Sequence, residues 1–310
     1  MGEELFWAIR GGGAASFGVV TAFKIKLVDV PPVVTAFNVF RNLRQNATEL
    51  VARWQEIAHK FDDNLFIRLV IQRTTDNGQP SIQVLFNSLF LGDKNQLLSV
   101  VATAFPELGL AASDCTEMNW LQQVLFFNSM PLNNPQALLT RTRSSNNSFK
   151  AKSDFVTTPI NARNLEKIWK FIMAPQDQPL VLILEPFGGR MDQIPPSATP
   201  FPYRRGFLYN IQYDMNWADS SETQKHLQWM KDLYSFMTPF VTKNPRGAYY
   251  NYKDLDLGRN EDGEEASYEK ARVWGEKYFG GNFKRLAIVK GKVDPQNFFR
   301  NEQSIPPLFA

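Results

Sequence analysis

The stretch Tyr249-Tyr250-Asn251-Tyr252-Lys253-Asp254-Leu255-Asp256 sets three phenols and an amide beside two carboxylates. In an extended segment Tyr250 and Tyr252 share one face, because strand side chains alternate with a period of two. A phenol titrates near about 10 in water, so it serves as a general base only where neighbouring donors or cations pull it down. An edge strand with its hydroxyls in water uses the same residues without chemistry. A second group is Tyr209-Asn210-Ile211-Gln212-Tyr213, where Gln212 stands inside a strand-like run. A buried amide needs hydrogen-bond partners, and a substrate hydroxyl can be one. Glu185, in Ile183-Leu184-Glu185-Pro186-Phe187, is an acid in an apolar run, which solvent or a backbone group could equally satisfy. Near the start, Gly11-Gly12-Gly13 would let backbone approach a flat or charged ligand closely. Their spacing is not the dinucleotide fingerprint, and no βαβ unit with a downstream acid follows, so a tight turn explains them as well.

Other chemistries have little material. The net charge is only +3 and the basic residues are scattered, so nucleic acid is not an expected partner. No apolar run approaches the roughly 18 residues of a membrane span. Met1-Gly2-Glu3-Glu4 lacks the cationic start of a signal peptide. The lone Cys115 excludes an internal disulfide and a cysteine-based metal site, and with only His59 and His226 no metal centre or Ser-His-Asp triad is expected. No base accompanies Cys115, which reads as core packing. The 25 phenylalanines could line an apolar cavity, although dense core packing uses them too. Asn46-Ala47-Thr48 and Asn146-Asn147-Ser148 are glycosylation sequons.

These groups need elements to position them. Helical periodicity runs over Asn46–His59, Lys94–Thr103, Ala162–Ile172, Glu222–Phe236 and Ser267–Phe279. Strands are predicted over Leu65–Gln72, Ile82–Leu89, Leu180–Phe187 and Phe207–Asp214, with one or two more over Ser16–Leu27. Asn77-Gly78 is a hairpin signal and favours antiparallel pairing. The prolines from Ile194 to Pro202 predict an extended loop, and Pro31-Pro32 marks a boundary. The mixture predicts an α+β fold: an antiparallel sheet covered by helices on one face. Because Leu5–Ile9 is an apolar run so near residue 1, a preceding domain is expected.

Taken together, Leu5-Phe6-Trp7-Ala8-Ile9-Arg10-Gly11-Gly12-Gly13 with Ser16-Phe17-Gly18-Val19-Val20 resembles the end of the flavin domain of the berberine bridge enzyme-like family. Asn251–Gly258, Trp274-Gly275-Glu276-Lys277-Tyr278-Phe279 and Val293–Pro306 resemble its C-terminal signatures. The resemblance implies that residues 1–28 end a PCMH-type FAD-binding domain, 29–246 form the substrate domain, and 247–310 return to the flavin. It implies FAD as cofactor, with Gly11, Gly12, Gly13, Ser16, Phe17, Gly18, Val20 and Asn251 beside it. The histidine and cysteine that attach FAD covalently in the family have no counterpart in this sequence. Tyr252 matches the family's catalytic tyrosine, here in a Lys-bearing signature, and Gln212 falls where the alkaloid-cyclising enzyme has a catalytic glutamate. Tyr250, Asn210 and Glu185 fall on the substrate side. Asn210 replaces the lysine frequent in monolignol-type members, and Glu185 replaces a tyrosine of cannabinoid synthases. The resemblance therefore implies oxidation of a small alcohol or sugar rather than alkaloid ring closure, in a secreted or cell-wall protein. A non-catalytic carbohydrate-binding or defence-related protein without flavin is the alternative.

Overall fold

The structure, a computed structural model, describes residues 2–141, 146–175, 177–260 and 267–309; Met1 of the opening acidic stretch and positions 261–266 and 310 of the C-terminal segment lie outside it. In chain order the elements are α1 (Glu3–Gly12), β1 (Val34–Asn42), α2 (Ala47–Ile57), β2 (Leu65–Asp76), β3 (Gln79–Phe90), α3 (Lys94–Ala104), β4 (Cys115–Met118), α4 (Trp120–Phe127), β5 (Ser148–Val156), α5 (Ala162–Met173), β6 (Leu180–Pro186), β7 (Tyr209–Trp217), α6 (Thr223–Met237), α7 (Tyr268–Phe279) and α8 (Phe283–Val293). The seven strands form one sheet in the order β4-β1-β3-β2-β6-β7-β5, every neighbouring pair antiparallel.

Asn77-Gly78 closes the hairpin as expected, with positive φ at both residues (48° and 77°), so that Asp76 faces Gln79. Alternation then sends Leu65, Ile67, Leu69 and Ile71 of β2 to one face, where all are buried. On that face Trp54 of α2, Trp169 of α5 and Leu233 of α6 belong to the main core, together with Tyr209, Ile211 and Tyr213 of β7. The Trp54 indole N–H donates to the Ile67 carbonyl at 2.9 Å, tying helix to strand through a buried polar atom that needs a partner. The helix starts carry local signals: Asp93 and Asn161 cap α3 and α5 by accepting from the amides of Gln96 and Asn164. Cys115 is buried in this core, as its lack of a base suggested.

The two ends of the chain meet. Trp7 and Ala8 of α1 share a second core with Trp274, Tyr278 and Phe279 of α7, Phe283 and Leu286 of α8, and Ile305. The apolar run Leu5–Ile9 lies within α1, but one expectation fails: Ser16–Leu27 forms no strand. Val19, Phe23, Ile25 and Leu27 alternate as a strand would, but among the described residues no strand pairs with them, and all four are exposed. Alternation alone does not make a strand, whose backbone bonds come only from a neighbour. Sequence patterning also missed β1, β4 and β5. In β5, Lys150, Lys152 and Asp154 occupy inward positions that the apolar rule assigns to hydrophobes.

Candidate active site

Across the sheet face opposite α2, α5 and α6 runs a row of polar residues. Asn38, Asn87 and Arg68 stand opposite one another on β1, β3 and β2, and Glu185 on β6 stands opposite Asn210 on β7. The Asn87 amide donates to Asn38 Oδ1 at 2.7 Å, and Arg68 Nε donates to Asn87 Oδ1 at 2.7 Å. The Arg68 guanidinium then reaches Glu185 at 3.7 Å. Asn210 is only 2% exposed, and its Oδ1 is a buried acceptor without a protein partner. Gln212 lies two residues further along β7 on the same face, between Ile183 and Ser153 of the flanking strands.

The C-terminal segment comes to this face through β5. The Tyr249 amide donates to Ser153 Oγ at 2.7 Å, and Ser153 is the cross-strand partner of Gln212. From there the chain does not stay extended, as the alternating tyrosines had suggested. The Tyr252 amide donates back to the Tyr249 carbonyl at 3.0 Å and closes a turn. The turn separates the two phenols. Tyr250 packs between Tyr278 and Phe279, with ring centroids 5.3 and 5.0 Å away, and its hydroxyl engages Ser16. Tyr252 instead meets the Tyr249 ring edge-on at 5.0 Å. Burial pushes the Tyr252 phenol up to about 12, Glu185 and Tyr249 add to the rise, and Arg68 opposes it.

A cavity of about 490 Å³ opens beside these groups. Gly11, Gly13, Tyr250, Asn251, Glu185 and Asn210 line it, so six of the residues singled out in the sequence meet there. Tyr249, Tyr278, Phe279, Phe201 and Arg204, none of them proposed as site residues from the sequence, line it too. Tyr252 and Gln212 are outside this wall: Tyr252 touches it through Tyr249, and Gln212 neighbours Asn210 along β7. Ser16 lies behind the wall, its hydroxyl accepting from the Ile305 amide at 3.0 Å. Phe17 is in the second core, Gly12 packs toward Leu286, and neither Gly18 nor Val20 lines the cavity.

The cavity suits a flat, polar-edged ring such as a flavin. Gly13 has φ 76°, and a Cβ there would come within 3.0 Å of the Tyr250 ring, so backbone forms the wall where a side chain would intrude. Tyr249, Tyr250, Tyr278, Phe279 and Phe201 supply aromatic surface to the lining. Besides Asn210 Oδ1, Arg204 Nε is buried without a partner, leaving one acceptor and one donor unspent. Among the described residues no group of three or more metal-ligating side chains converges.

Comparison with known proteins gives this arrangement a family. The Berberine and berberine like family model matches residues 248–306, the segment that brings Tyr249 to Tyr252 over the sheet. "Berberine bridge enzyme-like 23" from Arabidopsis thaliana is 51% identical over 313 residues, covering 100% of this chain and 58% of its own length. The chain belongs to the berberine bridge enzyme-like family. It spans 58% of the length of the curated relatives compared with it. The solved structure of BBE-like #28 from Arabidopsis thaliana superposes with a TM-score of 0.92 at 44% identity, covering 99% of this chain and 63% of that one. Phl p 4, a grass pollen allergen described as having glucose dehydrogenase activity, gives a TM-score of 0.93 at 41% identity, covering 100% and 62%. No helix among the described residues is long and apolar enough to cross a membrane.

Proposed function

We propose that this chain forms the substrate side of a flavin-dependent oxidoreductase that oxidises a CH–OH group of a small alcohol or sugar. The observation that carries the proposal is the convergence of Asn210, Glu185, Tyr250 and Asn251 on one cavity with glycine backbone from residues 11 and 13. Bound there, FAD would supply the acceptor for the hydride leaving the carbinol carbon. The chain's own residues do the rest. Gly11, Gly13 and Asn251 hold the ring, with Ser16 fixing the Tyr250 hydroxyl behind it. The carboxamides of Asn210 and Gln212 orient the substrate hydroxyls; an unpaired buried acceptor rewards a ligand that donates to it. Tyr252 takes the hydroxyl proton in its phenolate form, which Arg68 favours and Glu185 disfavours. A phenol held near 12 is scarce as phenolate at neutral pH, so turnover rises toward alkaline pH.

The proposal extends to the layout of the chain: residues 1–28 complete the flavin domain, 29–246 build the substrate wall, and 247–310 carry the base back to the flavin. It also places the protein outside the cell, where the sequon at Asn46, exposed at the start of α2, could be glycosylated. The test is anaerobic bleaching of the flavin absorbance of the full-length protein by a panel of primary alcohols and sugars. Bleaching by members of the panel supports oxidation; a colourless protein that binds oligosaccharide supports the non-catalytic alternative.

A further inference from the structure

The segment that carries Tyr252 is fastened along β5, an edge strand of the sheet, by contacts taken in antiparallel order. The Thr242 amide bonds the Phe155 carbonyl at 2.9 Å. Arg246 clasps Asp154 with Nε and Nη2 at 2.6 and 2.5 Å, while the Tyr213 hydroxyl donates to the same carboxylate at 2.9 Å. Tyr249 is bonded to Ser153, and two residues past Tyr252 Asp254 receives both lysines of the strand. Lys150 Nζ donates to Asp254 Oδ1 at 2.7 Å and Lys152 Nζ to Asp254 Oδ2 at 2.5 Å. Asp256 adds a second carboxylate, 3.0 Å from Lys150 and 2.9 Å from Lys152.

Two features separate this set from an ordinary surface ion pair. The side chains of Lys152 and Asp254 are each 2% exposed, and two ammoniums balance two carboxylates, so no charge is left for a ligand. The Asp254 backbone is also saturated: its amide donates to the Tyr278 hydroxyl at 2.9 Å, and its carbonyl receives the Gln303 side-chain amide at 2.9 Å. Second, the anchors leave β5 on opposite faces. Ser153 is opposite Gln212 on the face bearing the polar row, whereas Lys152 is opposite Tyr213 on the face bearing the helices. The segment therefore crosses the sheet edge between residues 249 and 254, with Tyr252 in the crossing.

We propose that Lys152, with Lys150, is a positioning residue that fixes Tyr252 relative to Gln212 and Asn210 by holding Asp254. An apolar contact tolerates slippage, whereas the buried Lys152–Asp254 pair at the centre of this quartet is satisfied in one geometry and is costly to leave unpaired. This inference rests on the reading of Tyr252 as the base, and its test separates the two. In the flavin-loaded full-length protein, Lys152→Met keeps most of the stem and removes the ammonium. Flavin reduction at saturating substrate slows about tenfold or more, with KM changed less than about twofold, because the base is displaced while the binding amides stay. Added to Tyr252→Phe, the same substitution causes no further slowing, since it acts through the missing hydroxyl. In this chain without flavin, amide hydrogen exchange over residues 249–257 speeds up. Full-speed reduction in a folded Lys152→Met protein, or additive slowing in the double variant, overturns the clamp. Should Tyr252→Phe alone leave reduction unchanged, the proposed function falls, and the exchange experiment still decides the clamp: unchanged exchange rejects it. If Lys152→Met does not fold, Lys150→Met, at a side chain 15% exposed on the same carboxylate, carries the same expectations.

Discussion

Arg68 and Glu185, 3.7 Å apart on neighbouring strands, pull the Tyr252 phenol in opposite directions. The guanidinium stabilises a phenolate and the carboxylate penalises it, so the pair sets the pH at which Tyr252 can accept a proton. Glu185→Gln removes the penalty and frees Arg68, lowering the phenol. The alkaline limb of flavin reduction then moves to lower pH, by about one unit for each ~1.4 kcal/mol of lost repulsion. Arg68→Met moves the limb the other way. Reduction rates measured across pH 6–11 (an assay range set by the phenol near about 12) check both signs.

Asn210 is expected to separate stability from function. Its Oδ1 is a buried acceptor with no protein partner, which costs the folded chain about 1–3 kcal/mol. Asn210→Leu should leave the melting temperature unchanged or raise it, while weakening substrate binding about tenfold through loss of a hydrogen bond worth roughly 1.4 kcal/mol. Calorimetry and substrate titration on the same preparation give both numbers.

Asp154 works in the opposite sense. It is fully buried against Arg246 and Tyr213, and its removal strands a half-buried guanidinium. Asp154→Ala should destabilise the fold by about 3–5 kcal/mol, read from urea unfolding.

Much of this was legible in the sequence, for identifiable reasons. The Asn77-Gly78 turn declares itself because only residues tolerant of positive φ fit there, and β2 because Leu65, Ile67, Leu69 and Ile71 alternate. Gln212 stood out as an amide within a strand-like run and Asn210 through the family resemblance, and both lie on the sheet face of the polar row. By contrast β5 was hidden. Lys150, Lys152 and Asp154 look like solvent-facing residues, yet their charges are matched by Asp254, Asp256 and Arg246 about a hundred positions away. Periodicity carries no information about such a partner. The same limit explains Tyr250 and Tyr252: their spacing was right for a strand, but the Tyr252-to-Tyr249 backbone bond made a turn. Arg204 escaped notice in a proline-rich loop whose packing against Gly11 cannot be read locally.

Gly13 gives a prediction on the flavin side. With φ 76° and ψ 157°, a region essentially reserved for glycine, and a Cβ position 3.0 Å from the Tyr250 ring, Gly13→Ala strains the backbone by about 1–3 kcal/mol and crowds the phenol. The full-length variant should bind flavin poorly while remaining folded, a result that absorbance and circular dichroism distinguish.

The most direct test is rapid mixing of the flavin-loaded full-length protein with its best alcohol or sugar under anaerobic conditions, comparing wild type with Tyr252→Phe. Loss of one hydroxyl should slow flavin reduction about a hundredfold or more, the scale of a positioned base, without displacing the flavin. Reduction at the wild-type rate would contradict the account.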